Sequence, residues 1–175
     1  PVPLPDQDFL PIGEWNTDGL IVAVPIHSQA HSNYIQNLIR AEHPVLFIGS
    51  GEPGPTIFVD NSGGVYEAMN HLFQHGHRNI AFLAGSQNDL QGDTGERLEA
   101  YREFIENHNL NQDPRLITFG RHIYSGGYQA MQQIIASGCG FTAVMASNDE
   151  SAIGAMDALK ASGFRIPEDV AIVGF

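Results

Sequence analysis

Short apolar runs alternate with helical patterns along almost the whole chain, and this rhythm leaves few folds open. The runs are Leu20–Val24, Val45–Ile48, Thr56–Val59, Asn79–Ala84, Leu116–Phe119, Ala143–Ala146 and Val170–Gly174. Most are continuously apolar rather than alternating, as expected of parallel strands buried on both faces. Between them the spacing predicts helices over Ser28–Glu42, Gly64–His75, Ser125–Ser137 and Asp149–Ser162. A further helix starts at Asp93, where Asp93 and Glu96 have capping-box spacing, and it buries Leu98, Tyr101 and Ile105. Gly76, Gly138 and Gly163 follow three of these helices in the slot that favours a left-handed residue. Repeated strand–helix units mean an α/β fold with a parallel, Rossmann-like sheet.

Gly49-Ser-Gly-Glu-Pro-Gly-Pro55 interrupts the rhythm by joining one strand to the next with no helix between them. Neighbours in a parallel sheet ordinarily need a crossover helix, so the chain is expected to pass here from one lobe to a second. The boundary falls near Asp60, giving a partial N-terminal lobe over 1–59 and a C-terminal lobe over 60–175. The 175 residues are enough for one sizeable core or two small lobes. No apolar run is long enough for a membrane span. The single cysteine, Cys139, excludes an internal disulfide and sits in a loop context with no assigned base. The first residues, Pro1-Val-Pro-Leu-Pro, carry neither a starting Met nor a signal segment, and the last run ends with the chain, so both ends read as cuts.

A formal charge of −12 makes these residues poor ligands for a phosphate backbone. Gly49-x-Gly51-x-x-Gly54 follows a strand but is followed by prolines and another strand, so it lacks the helix N-terminus a dinucleotide site requires. His71 and His75 stand at i, i+4 with His77 beyond, but no further ligand completes a metal set, and helix-end histidines suffice as a reading. No nucleophile elbow and no phosphate loop occurs. The pairs Asp6/Asp8, Asp149/Glu150 and Glu168/Asp169 read as caps and solvated turns. Neither catalysis, a metal nor a cofactor is expected.

Position carries more information. In open parallel sheets, ligands bind outside the carboxyl ends of the strands. Those ends carry His27, Asp60, the polar loop Ser86–Arg97, His122 with Tyr124, and Asn148-Asp149. Arg97 stands in the first turn of its helix, where the helix dipole favours an acid. It either serves a ligand or is a surface arginine pairing with Glu96 or Glu99. Amide, carboxylate, guanidinium and aromatic groups at one edge suit a neutral polyol or a heterocycle.

The ordered strings resemble the effector-binding core of the lac repressor and GalR family of bacterial transcription regulators, which has the type I periplasmic-binding-protein fold. They are Asp18-Gly-Leu-Ile-Val22, Val59-Asp-Asn61, His71-Leu-Phe-Gln-His-Gly-His77, Arg97-Leu-Glu-Ala-Tyr101, Gly127-Tyr-Gln-Ala-Met131, Thr142-Ala-Val-Met-Ala-Ser-Asn-Asp149 and Gly163-Phe-Arg-Ile-Pro-Glu-Asp-Val-Ala-Ile-Val-Gly-Phe175. The resemblance implies two lobes hinged around a small effector, a sugar or a nucleobase. It implies ligand-binding roles for Arg97, Asn148, Asp149, Asp60, and for the aromatic position falling at His122 or Tyr124. It also implies a homodimer, cytoplasmic and without membrane contact, that meets operator DNA through a headpiece absent from this chain. The family's first strand–helix unit and the segment after Phe175 are absent as well. The sequence departs from the family pattern at Gly49, where some sugar-responsive members carry a carboxylate, at Ala100, where glycine is usual, and in the longer loop before Arg97. A periplasmic sugar-binding subunit of a transporter or a ligand-sensing lobe of a signalling protein shares the fold. The Pro-Glu-Asp-Val-Ala-Ile-Val-Gly-Phe ending favours the regulator. A small α/β enzyme is the third reading, and turnover of a bound sugar or nucleoside would be its mark.

Overall fold

The computed structural model describes residues 13, 16–23, 28–49, 53–88, 90 and 92–175. The chain divides into two compact units, Pro1–Val59 and Asp60–Phe175.

In the first unit three parallel strands pair in the order β1 (Leu20–Val22), β2 (Val45–Ile48), β3 (Thr56–Ile57). Helix α1 (Gln29–Arg40) has Ser28 at its N-cap position and buries Ile35 and Leu38 on the sheet against Val22, Val45 and Phe47. The expectation that the chain leaves the first sheet at Gly49–Pro55 is corrected here. β3 pairs with β2 in parallel register, Phe47 opposite Thr56 and Ile48 opposite Ile57. The pairing spans only these two positions, so the chain need travel back only about 7 Å, which a short loop covers without a helix.

The second unit carries the larger core. Its sheet runs β5 (Ile117–Phe119), β4 (Ile80–Ala84), β6 (Ala143–Ala146), β7 (Ala171–Val173), all parallel. Alternate strand residues face opposite layers, as the period of two demands. Ile80, Phe82, Ala84, Ala143 and Met145 pack with α2 (Asn61–Gln74) and α3 (Asp93–Asn107). Ala81, Leu83, Val144 and Ala146 pack with α4 (Tyr124–Ala136) and α5 (Asp149–Ala161). Every residue of β4 is buried, which explains its unbroken apolar run. Tyr101 donates to the carbonyl of Ile80 at 2.8 Å, and burial pushes its phenol pKa well above the ordinary value. Gly76, Gly138 and Gly163 have φ of 92°, 67° and 87° at the helix ends, as their positions predicted. Cys139 lies in the loop after α4, as expected, and is buried against the core beside Ile134.

From β4 the chain moves to β5 on one side and then returns past β4 to β6 and β7 on the other. The strand order therefore reverses between β4 and β6, and the carboxyl ends of those strands form the place where such sheets take ligands.

Candidate effector site at the carboxyl edge of the second sheet

Glycine stands directly after three of the four strands, at Gly85, Gly120 and Gly174, and Ser147 stands after β6. These residues leave room for side chains to gather. A Cβ on Gly85 would lie 2.4 Å from Cε1 of His122 and 2.5 Å from Oγ1 of Thr94. A Cβ on Gly174 would lie 2.2 Å from Oδ1 of Asp149.

Arg97 is the centre of the cluster. It is only 9 % exposed, and its Nη1 donates to the carbonyl of Ser147 at 2.5 Å. Its Nε donates to Oδ1 of Asn61 at 2.7 Å, and the guanidinium carbon sits 3.7 Å from the Phe175 ring centroid. Nη2 is 3.8 Å from Asp93, an ion pair too long for a hydrogen bond. Burial pulls the guanidinium pKa down, while Asp93 and Glu96 push it back up. Arginine stays charged at any ordinary pH, so this is a cation held in a sheltered place. The surface pairing with Glu96 or Glu99 is not what Arg97 does.

The capping box expected at Asp93 and Glu96 does not form. Gly92 is the N-cap residue, with φ 91°, and no side-chain cap bond closes the helix. Both carboxylates are engaged elsewhere: Nδ2 of Asn61 donates to Asp93 at 2.9 Å and to Glu96 at 2.7 Å.

His122 and Asn148 complete this edge. Nε2 of His122 lies 3.0 Å from Oγ of Ser147, and Nδ2 of Asn148 donates to the backbone carbonyl of His122 at 3.0 Å. Oδ1 of Asn148 accepts from the Ser151 backbone and so caps α5. Arg121 and His122 both have φ of 56°, a conformation costly for side chains with a Cβ. Two such residues in succession are held by backbone bonds from Gly120 to Ala84 and from Arg121 to Gly85, both 2.8 Å.

Arg97, Asn148 and His122 thus converge around Ser147, and the Asp149 carboxylate lies against Gly174, the residue before the Phe175 that underlies Arg97. Asp60 is exposed and caps α2, accepting from the Gly63 backbone at 2.8 Å. Of the two candidates for the aromatic position, Tyr124 stands apart from this cluster. Its hydroxyl donates to Asp157 at 2.6 Å, nine residues along α5 from Asn148 and so about 13 Å down the helix. This bond pushes the Tyr124 pKa up. His27, the pair Asp6/Asp8 and part of the loop before Arg97 lie outside the described residues. The residues that sequence reasoning passed over are Asn61, Ser147 and Phe175.

A cavity of about 640 Å³ lies in the first unit, lined by Asp18, Gly19, Glu42, His43, Pro44 and Pro55. It opens at the amino ends of the strands, the wrong end for a ligand of this fold class.

A family model described as a periplasmic binding protein-like domain matches residues 69–175. The chain belongs to the periplasmic-binding-protein-like family, in its LacI/GalR branch. It is 38 % identical over 117 residues to the HTH-type transcriptional regulator CelR of Thermobifida fusca, covering 67 % of this chain and 34 % of that protein. It is 36 % identical over 119 residues to the HTH-type transcriptional regulator GalR of Escherichia coli, covering 68 % and 34 %. The chain therefore matches about a third of the length of these curated relatives. Among solved structures, the E. coli transcriptional repressor AscG superposes with a TM-score of 0.76 at 27 % identity, covering 92 % of this chain and 58 % of that one. A CelR–cellobiose complex gives 0.72 at 32 % identity, covering 92 % and 49 %. These relatives are transcription regulators, not enzymes. Among the described residues no helix is long and apolar enough to cross a membrane.

Proposed function

We propose that this chain is the effector-binding and dimerisation core of a cytoplasmic LacI/GalR-type transcription regulator, and that it performs no catalysis. The observation that carries this reading is Arg97: a sheltered cation at the switch point with two of its five N–H donors in close hydrogen bonds among the described residues. A neutral sugar presents hydroxyls to such donors, and the carbonyl and amide groups of Asn148 and the imidazole of His122 add further polar contacts. The CelR structure named for its cellobiose complex supports a sugar over a nucleobase. Operator DNA is met through a separate headpiece, since a −12 chain repels phosphate.

A thermal-shift panel of cellobiose, galactose, other sugars and nucleobases on the full-length protein tests the reading. A ligand that binds the folded state raises the melting temperature by mass action. A sugar is expected to do so; a panel without a shift, or turnover of a bound sugar, would sink the proposal.

The dimer surface proposed here is the apolar cluster Ile123, Tyr124 and Ile153, which are 41 %, 46 % and 53 % exposed. Gly154 packs against the Tyr124 carbonyl, which sets the start of α4, with Ile123 and Tyr124, beside the stretch of α5 that carries Ile153. Apolar and aromatic groups at the centre of an interface contribute most of its affinity. Ile153→Asp is expected to weaken self-association at least tenfold in equilibrium sedimentation, and an unchanged dimer would remove this surface from consideration.

A further inference from the structure

Arg97 has two carboxylates of its own helix within reach. Asp93 stands one turn before it at i, i+4, the spacing at which an acid and a base pair directly on a helix surface, and Glu96 is its neighbour in sequence. Left to itself, a guanidinium there would fold down onto them. It does not: its close bonds go to Asn61 and Ser147, and Asp93 is 3.8 Å away.

The group standing between them is Asn61, the first residue of α2, which is 2 % exposed. Its Oδ1 accepts from Nε of Arg97 at 2.7 Å, while its Nδ2 donates to Asp93 at 2.9 Å and Glu96 at 2.7 Å. The amide can sit only one way round. A guanidinium only donates and a carboxylate only accepts, so the reversed amide would set N–H against N–H and oxygen against oxygen. Its three bonds all involve charged partners, which are the stronger kind.

We infer that Asn61 is a positioning residue of the effector site: by occupying the Asp93 and Glu96 carboxylates it keeps Arg97 from hydrogen-bonding to its own helix, leaving only the long 3.8 Å ion pair to Asp93, and holds the guanidinium over Phe175, against the Ser147 carbonyl. This rests on reading the surroundings of Arg97 as an effector site. α2 keeps its own cap at Asp60, so the amide of Asn61 is not what starts the helix. Serine or glycine would suit that helix position equally well, but neither could bridge two acids and a guanidinium at once.

Two measurements on the full-length protein separate this proposal from the reading it rests on. The first needs no effector. In a ¹⁵N-correlated spectrum the Arg97 Nε–H signal, assigned by its loss in Arg97→Lys, should be resolved and protected in the wild type. In Asn61→Ala it should move into the envelope of the exposed arginines. A signal that keeps its position and protection in Asn61→Ala overturns the proposal. The second is calorimetric titration with cellobiose as the probe. Asn61→Ala is expected to weaken binding roughly tenfold or more, the scale of a hydrogen bond to a charged group. In an Arg97→Ala background the same change should have less than a twofold further effect, because Asn61 acts only through Arg97. Full additive losses would overturn the proposal, since a residue that merely supports the fold acts independently of Arg97. If Arg97→Ala binds cellobiose as the wild type does, or the wild type does not bind it, the effector reading fails for this probe and the spectrum still decides the role of Asn61. Asn61→Ser, which keeps a polar helix start without the reach, supplies both measurements if Asn61→Ala is unstable.

Discussion

Gly126→Ala is expected to destabilise the second unit by about 3 kcal/mol, the upper part of the usual range for overpacking, and to lower its melting temperature by roughly 10 °C. A Cβ at Gly126 would lie 1.8 Å from the carbonyl oxygen of Gly120. The neighbouring glycines are equally confined: a Cβ on Gly127 would lie 2.3 Å from the Ser151 carbonyl oxygen, and one on Gly154 would lie 2.1 Å from that of Tyr124. Each obstacle is backbone, so no side-chain rotation relieves the clash. The first turn of α4 must instead move away from the strand end or from α5. Moving it also disturbs Arg121 and His122, the left-handed residues that lead from the Gly120 turn into α4. Gly140→Ala is the control, because nothing lies within 4 Å of a Cβ there, and it should change stability by less than about 0.5 kcal/mol. Equal melting temperatures for the two variants would mean that the close approach of α4 to the Gly120 backbone is not a constraint.

The strands were legible because burial on both faces leaves a run of apolar residues with no polar interruption, and Ile80–Ala84 and Ala143–Ala146 are such runs. Helix ends were legible where a glycine at the stop has a local reason to be there. Groups whose partners lie far along the chain were not. Asn61 meets Arg97 across 36 residues and Arg97 meets Ser147 across 50, and no local spacing encodes either contact. Asp60, beside Asn61 in the same string, drew attention as the ionisable residue, yet it caps the helix while the neutral amide next to it binds Arg97. Phe175 reads as core in any apolar pattern, and only its place under the guanidinium gives it a second use. Asp93 and Glu96 had the spacing of a capping box, but the buried amide of Asn61 takes both carboxylates, because charged hydrogen bonds outweigh a cap at a position that Gly92 fills. Tyr124 is a different case. It begins α4, and from there its hydroxyl reaches Asp157 on α5.

Arg97→Ala is expected to weaken effector binding by about 1.5–3 kcal/mol, or roughly ten- to a hundredfold, the usual contribution of a charged hydrogen bond. The ligand would lose a donor fork held in place from three sides: Asn61 at Nε, Ser147 at Nη1 and the Phe175 ring beneath the plane. The fold should lose less. Asp93 is half-exposed and can be rehydrated, so removing the cation does not strand a buried charge. What remains unpaired is the Oδ1 of Asn61 and one bond to the Ser147 carbonyl, at about 1–3 kcal/mol together. Arg97→Lys separates charge from geometry. Its ammonium keeps the positive charge but has neither the plane that rests on Phe175 nor the fork that bonds in two directions. If the site reads hydroxyls through that fork, Arg97→Lys should lose nearly as much affinity as Arg97→Ala. If Arg97 acts through charge alone, Arg97→Lys should bind almost as the wild type does. Titration calorimetry with a sugar that stabilises the wild type distinguishes the two. An unchanged dissociation constant in Arg97→Ala, in a protein that still melts cooperatively, would remove Arg97 from the effector site altogether.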